Sequence, residues 1–91
     1  MNTAQRQQEI GRRLEAALQP QLIEVIDESH QHVGHVGARD GRGHFKLYIV
    51  SSRFSGLKLV QRHRLIYQAL GDLMQTDIHA LAIEARAPDE T

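Results

Sequence analysis

The sequence predicts a small α+β domain: a three-stranded mixed sheet with helices packed on one side, in the order αββ(α)αβ. Three observations predict it. Two segments repeat apolar residues at helical spacing, three others are short runs rich in branched residues, and the last of these runs follows a helical crossover. A chain of 91 residues buries one core and not two. Residues 1–91 are therefore read as a single domain, with about 1–3 and 87–91 expected to be flexible ends.

The first helix is expected from Thr3 to Gln19, where Ile10, Leu14, Ala17 and Leu18 form one stripe and Pro20 disfavours helix in the residue before it. Leu22–Asp27 reads as a strand. Glu28 to Gly43 carries four glycines and reads as a long loop, of a kind that is often functional. His44–Val50 alternates, with Phe45, Leu47 and Ile49 on one side and His44, Lys46 and Tyr48 on the other. The two strands would pair as an antiparallel hairpin. The main helix is expected from Leu57 to Met74, with Leu59, His63, Ile66, Tyr67, Leu70, Leu73 and Met74 on its buried side. Arg64 and Gln68 lie well away from that stripe, and Lys58, Arg62 and Leu65 flank it. Ile78–Ala85 is the third strand, followed by a polar tail expected to fray.

Eleven basic and eleven acidic side chains give a formal charge of zero, which is not the balance of a strongly basic nucleic-acid module. Charge is nevertheless uneven, because no acidic residue interrupts the run from Lys46 to Arg64. No apolar run reaches the roughly 18 residues of a membrane span. The polar start has no signal-peptide stretch, and cysteine is absent, so the chain is expected to be cytoplasmic and to have no thiolate chemistry of its own. Six histidines are the unusual count.

Three stretches carry a family resemblance: Asp27-Glu28-Ser29-His30-Gln31-His32; His44-Phe45 leading to Ile49-Val50-Ser51-Ser52-Arg53-Phe54-Ser55-Gly56; and Arg62-His63-Arg64-Leu65-Ile66-Tyr67 leading to Ile78-His79-Ala80-Leu81. The chain resembles the BolA family from about Leu14 to Pro88. The resemblance implies a fold similar to a class II KH domain without its Gly-X-X-Gly loop. It also implies two roles. One is partnership with a monothiol glutaredoxin across a [2Fe–2S] cluster shared with glutathione, in iron homeostasis and redox regulation. The other is transcription regulation tied to cell shape, stress and biofilm.

For the cluster role, the family's ligand positions match His79 and, in the loop, His32, with His35 able to take the same part and His30 a weaker match. Imidazole replaces thiolate on one iron of a Rieske cluster. In a chain without cysteine, the thiols would come from the partner and glutathione. Two other readings stay open: His79 as a strand-end histidine lying with Leu81 and Ile83, and the loop histidines as a solvated tract or a divalent-metal site. His63 is read as a core or capping residue. His44 is read as a surface residue, although its equivalent in some relatives has been considered a secondary ligand.

For the DNA role, Phe54-Ser55-Gly56 before the main helix has been likened in the family to a helix-turn-helix. Arg53, Lys58, Arg62, Arg64 and Gln68 would then face double-stranded DNA, with weak and salt-dependent affinity. An enzyme is not expected. Ser51, Ser52, Asp72 and Asp77 form no recognisable nucleophile or acid–base arrangement in the sequence, and no small-molecule substrate is implied.

Overall fold

A computed structural model describes residues 2–29 and 43–91. Helix α1 spans Thr3–Leu18. Asn2 caps its start: its side chain accepts from the Gln5 N–H while the Gln5 side chain accepts from the Asn2 N–H, a capping box. The helix ends at Gln19, which adopts the left-handed conformation (φ 42°) one residue before Pro20. Strands β1 (Leu22–Asp27) and β2 (Gly43–Val50) pair antiparallel, and β3 (Ile78–Arg86) pairs parallel to β2, so β2 is central. The predicted order and mixed pairing are therefore present.

Alternation builds the core. Phe45, Leu47 and Ile49 point from β2 onto Ile10, Leu14 and Leu18 of α1 and Ile66 and Leu70 of the second helix, and all are buried. The opposite face of the sheet is polar or half-open, with Leu22, Glu24, Ile26 and Lys46 on it.

The main helix is shorter than expected. Helix α2 spans Leu59–Leu70, Gly71 ends it at φ 54° and ψ −127°, and a separate turn of helix, α3, covers Leu73–Thr76. That backbone conformation is essentially restricted to glycine, so the helical periodicity across Gly71 hid a break. Arg13 of α1 covers the end of α2, donating to the Leu70 carbonyl at 2.7 Å and to Asp72 at 2.9 Å, a cation where the helix dipole favours one. Arg6 pairs with Asp77 at 3.2 Å. The Thr76 hydroxyl and then Arg6 hold the Asp77 carboxyl below its usual range.

The buried stripe of α2 is also rotated from the expected one. Arg62, Ile66 and Leu70 are buried, whereas Leu59 and Tyr67 are 64% and 41% exposed and His63 is only half-buried. The apolar count favoured the wrong rotation because an arginine occupies the inward position. The guanidinium of Arg62 donates to the carbonyls of Leu57 and Ala85, makes a two-pronged pair with Glu90 at 2.6 and 2.7 Å, and lies 6.0 Å over the Phe54 ring. Its burial is satisfied at every side.

The tail is accordingly docked rather than frayed. Ala87 is fully buried, and Pro88–Glu90 form a 3₁₀ turn whose Glu90 also accepts from the Ala87 N–H. At the other end, Asn2 and Thr3 belong to the capped start of α1.

Candidate metal centre

Strands β2 and β3 do not stay in step at their starts. Gly43 is opposite Ile78, but His44 is opposite Ala80. One residue on β3, His79, is therefore extra, which is the signature of a β-bulge. The bulge decides where the imidazole goes. Strict alternation from Leu81 and Ile83 would place His79 on the helix-covered face; instead Ile78 is buried there and His79 is exposed.

His44 occupies the adjoining position on β2. Its ring centroid lies 4.9 Å from that of His79, with the planes tilted by 42°. The sequence reading put His44 on the surface; it is 8% exposed. Residues just past the end of β1 bind its backbone. The Glu28 N–H donates to the His44 carbonyl at 2.8 Å, and the His44 N–H donates to the Ser29 hydroxyl at 3.0 Å. The Ser29 N–H in turn donates to the Asp27 carboxylate. The end of β1 and the start of β2 are thus tied together beside the two imidazoles. His44 was legible in principle, since β2 and β3 both begin at the same end of a parallel pair, but the register needed to see it was not.

Gly43 is forced at this point by crowding. A methyl group on it would meet the ring of Phe45 at 2.5 and 2.7 Å and the Ser29 hydroxyl at 3.2 Å. Phe45 is 2% exposed and cannot retreat without disturbing the core. Gly43→Ala is expected to destabilise the domain by about 1–3 kcal/mol, read as a fall in the urea midpoint; an unchanged midpoint would contradict the packing described.

The predicted loop ligands His32 and His35, and His30 beside them, lie outside the described residues. Among the described residues, no group of three or more histidine, cysteine, aspartate or glutamate side chains could hold a metal ion. His44 and His79 thus offer at most part of a ligand set, and the chain has no cysteine to add to it. Two adjacent imidazoles are donors that suit a partial, nitrogen-supplying role toward a metal or cluster.

The predicted DNA-facing residues are divided. Arg53, Lys58, Arg64 and Gln68 are exposed, with Arg53 donating to the Gln19 side chain at 2.7 Å. Arg62 was expected on the same surface and is instead 5% exposed and held by Glu90. Phe54 closes a three-residue 3₁₀ turn and is fully buried. Ser51 is equally buried, its hydroxyl donating to the Leu18 carbonyl and accepting from the Arg53 N–H.

These features define a small α+β domain whose sheet carries paired histidines at one end and helices on one face. The sequence matches the family model described as BolA-like protein over residues 14–90. The chain belongs to the BolA-like family. It is similar to SufE-like protein 1 of Arabidopsis thaliana, with 48% identity over 86 residues, covering 89% of this chain and 23% of that protein. It is also similar to the DNA-binding transcriptional regulator BolA of Escherichia coli, with 43% identity over 74 residues, covering 81% of this chain and 68% of that one. The solved BolA domain of SufE1 from Arabidopsis thaliana superposes with a TM-score of 0.83 and 45% identity, covering 94% of this chain and 95% of that one. The chain spans under a quarter of the full SufE-like protein and 56% of the chloroplastic BOLA1 of the same plant. Among the described residues, no helix is long and apolar enough to cross a membrane.

Proposed function

We propose that this chain is a non-enzymatic BolA-like partner of a monothiol glutaredoxin, and that it supplies imidazole nitrogen to a [2Fe–2S] cluster whose thiolates come from the glutaredoxin and glutathione. The observation that carries this reading is the bulged, exposed His79 beside His44 in a chain with no cysteine. His79 is the first ligand. The second is His32 or His35. His32 is three residues beyond Ser29, a tether of at most about 11 Å, and Ser29 is itself bonded to His44. His44 supports the site by packing against the His79 ring, and such neighbours orient metal-bound imidazoles. When bound, the cluster supplies electron-transfer and cluster-donation chemistry; this chain supplies nitrogen ligands and a docking surface.

Anaerobic reconstitution with a monothiol glutaredoxin and glutathione tests the reading. A heterocomplex is expected whose visible spectrum differs from that of the glutaredoxin homodimer. A spectrum identical to the homodimer's, with this chain left monomeric, would refute it.

A second reading, DNA-binding regulation, is favoured by the name of the Escherichia coli relative and by Lys58, Arg64 and Gln68 on the open side of α2. With Arg62 withdrawn into the core, Lys58, Arg64 and Arg53 carry the contact. Lys58→Ala and Arg64→Ala are each expected to weaken promoter binding and to lower its salt slope by about one. Titration at two salt concentrations measures this, and binding indifferent to both substitutions would exclude that surface.

A further inference from the structure

β3 is an edge strand. Among the described residues it pairs only with β2. The hydrogen-bond parity shows which of its groups face outward. The Ser51 N–H donates to the Arg86 carbonyl, so beyond the bulge the even-numbered residues of β3 face β2. The backbone groups of Leu81, Ile83 and Ala85 therefore point away from the sheet. Arg62 covers the Ala85 carbonyl at 3.1 Å. Among the described residues, nothing bonds the outward groups of Leu81 or Ile83. The free part of the edge is thus short and centred on Ala82, with one open residue on each side. Natural proteins usually blunt such an edge; here its C-terminal end is blunted and its middle is not.

The flank of α2 beside this edge is apolar. Of the five large apolar side chains exposed among the described residues, three, Leu59, Val60 and Tyr67, are on α2. Leu59, His63 and Tyr67 follow one another at spacings of four, on one side of the helix. Leu59 and His63 line a cavity of about 290 Å³ together with Ile83 and Ala85 of β3. The charged groups at that cavity are compensated within the chain, Arg62 by Glu90 at 2.6 Å and Arg86 by Glu84 at 3.6 Å. The surface therefore selects neither an acidic nor a basic partner. It offers open backbone groups and apolar side chains, the character of an interface between identical chains.

We infer that β3 pairs antiparallel with β3 of a second copy of this chain, across a two-fold axis at Ala82, joining the two sheets into one of six strands. That register uses the two open residues and no covered one. Leu81 of each copy exchanges both backbone bonds with Ile83 of the other, and Ala82 meets its own counterpart in a non-hydrogen-bonded pair. Centring on Leu81 would call on His79 at the bulge. Centring on Ile83 would call on the Ala85 carbonyl that Arg62 holds. Side chains agree with the Ala82 register. Leu81 and Ile83 of opposite copies form cross-strand apolar pairs, and Glu84 meets Ala80, so no like charges stand opposite one another. α2 starts at the cavity beside Ala85 and leads through α3 to the start of β3, so it runs against β3. The two α2 helices then lie antiparallel over the seam, with Tyr67 of each turned toward Leu59 of the other. This inference goes beyond the cluster reading and does not rest on it, because no metal takes part.

The test uses the isotope-labelled full chain, without metal or glutathione. Sedimentation equilibrium is expected to show monomer and dimer with a dissociation constant between about 10 µM and about 1 mM, the range of a small transient interface. As concentration rises, amide shifts are expected at Leu81, Ala82 and Ile83 and along α2 from Leu59 to Tyr67, with slowed exchange of the Leu81 and Ile83 amides. In an equimolar mixture of labelled and unlabelled chain, a contact between the Ala82 α-protons of two copies is expected, because a non-hydrogen-bonded pair brings the Cα atoms to about 4.5 Å. Ala82→Lys, at an exposed position, sets like charges opposite one another and should weaken dimerisation about twofold to fivefold. Leu22→Lys, exposed on the far edge strand β1, should leave it unchanged. A chain that stays monomeric at about 1 mM overturns the proposal. So does a dimer weakened by Leu22→Lys and indifferent to Ala82→Lys, which puts the contact on the open face of the sheet. Shifts at Leu81 and Ile83 that appear only on adding a monothiol glutaredoxin overturn it too, by making that protein the occupant.

Discussion

Arg62→Ala should lower the stability of the domain by about 2–3 kcal/mol, a fall in melting temperature on the order of 10 °C or more for a chain of this size. The substitution removes the donor that satisfies the Leu57 and Ala85 carbonyls, opens a void over Phe54 and releases Glu90 and the turn that holds it. Thermal or urea unfolding measures the effect. A change below about 0.5 kcal/mol, the usual range for a solvated surface position, would mean that Arg62 is not the interior strut described.

The same contact makes the fold acid-sensitive in a defined window. The Arg62 guanidinium, helped by the Ala87 N–H, lowers the Glu90 carboxyl from 4.5 to about 2. A carboxylate held below its unfolded value stabilises the native state fully above that value. The contribution is therefore complete above pH 4.5 and is lost progressively as pH falls toward 2. Glu9, lowered to about 2 by Arg12 and then Arg13, acts in the same window. Glu90→Gln should flatten part of the decline in stability between pH 5 and pH 2; an acid-unfolding profile parallel to that of the unaltered chain would refute the assignment.

His79→Ala should abolish or sharply reduce the heterocomplex spectrum after reconstitution with glutaredoxin and glutathione, while changing stability by less than about 0.5 kcal/mol because the side chain is exposed at a bulge. That combination separates a ligand from a structural residue. His44→Ala is expected to weaken the cluster and also the fold, since His44 is buried. His32→Ala and His35→Ala, compared by loss of nitrogen coupling in the reduced cluster, assign the loop ligand. A His79→Ala heterocomplex with an unaltered spectrum would remove the ligand role from this position.

The three strands, α1 and the element order were legible because each rests on a local pattern: branched runs, a clean period of two in β2, and an apolar stripe stopped by Pro20. The break at Gly71 was not, because a glycine at helical spacing leaves the apolar period intact while its backbone leaves the helix. The rotation of α2 was missed for a related reason. Periodicity counts apolar residues, and the inward position at its centre is an arginine whose partners, Ala85 and Glu90, are 23 and 28 residues away.

Local sequence by itself determined the chemistry on offer: six imidazoles, no thiol, a neutral total and a basic run from Lys46 to Arg64. Which of those groups meet was decided by tertiary structure. A one-residue slip between β2 and β3 turned His79 out of the core and set it against His44, and packing of the tail drew Arg62 out of the basic surface. Register and burial are properties of paired and packed segments, so residue spacing along one segment cannot encode them.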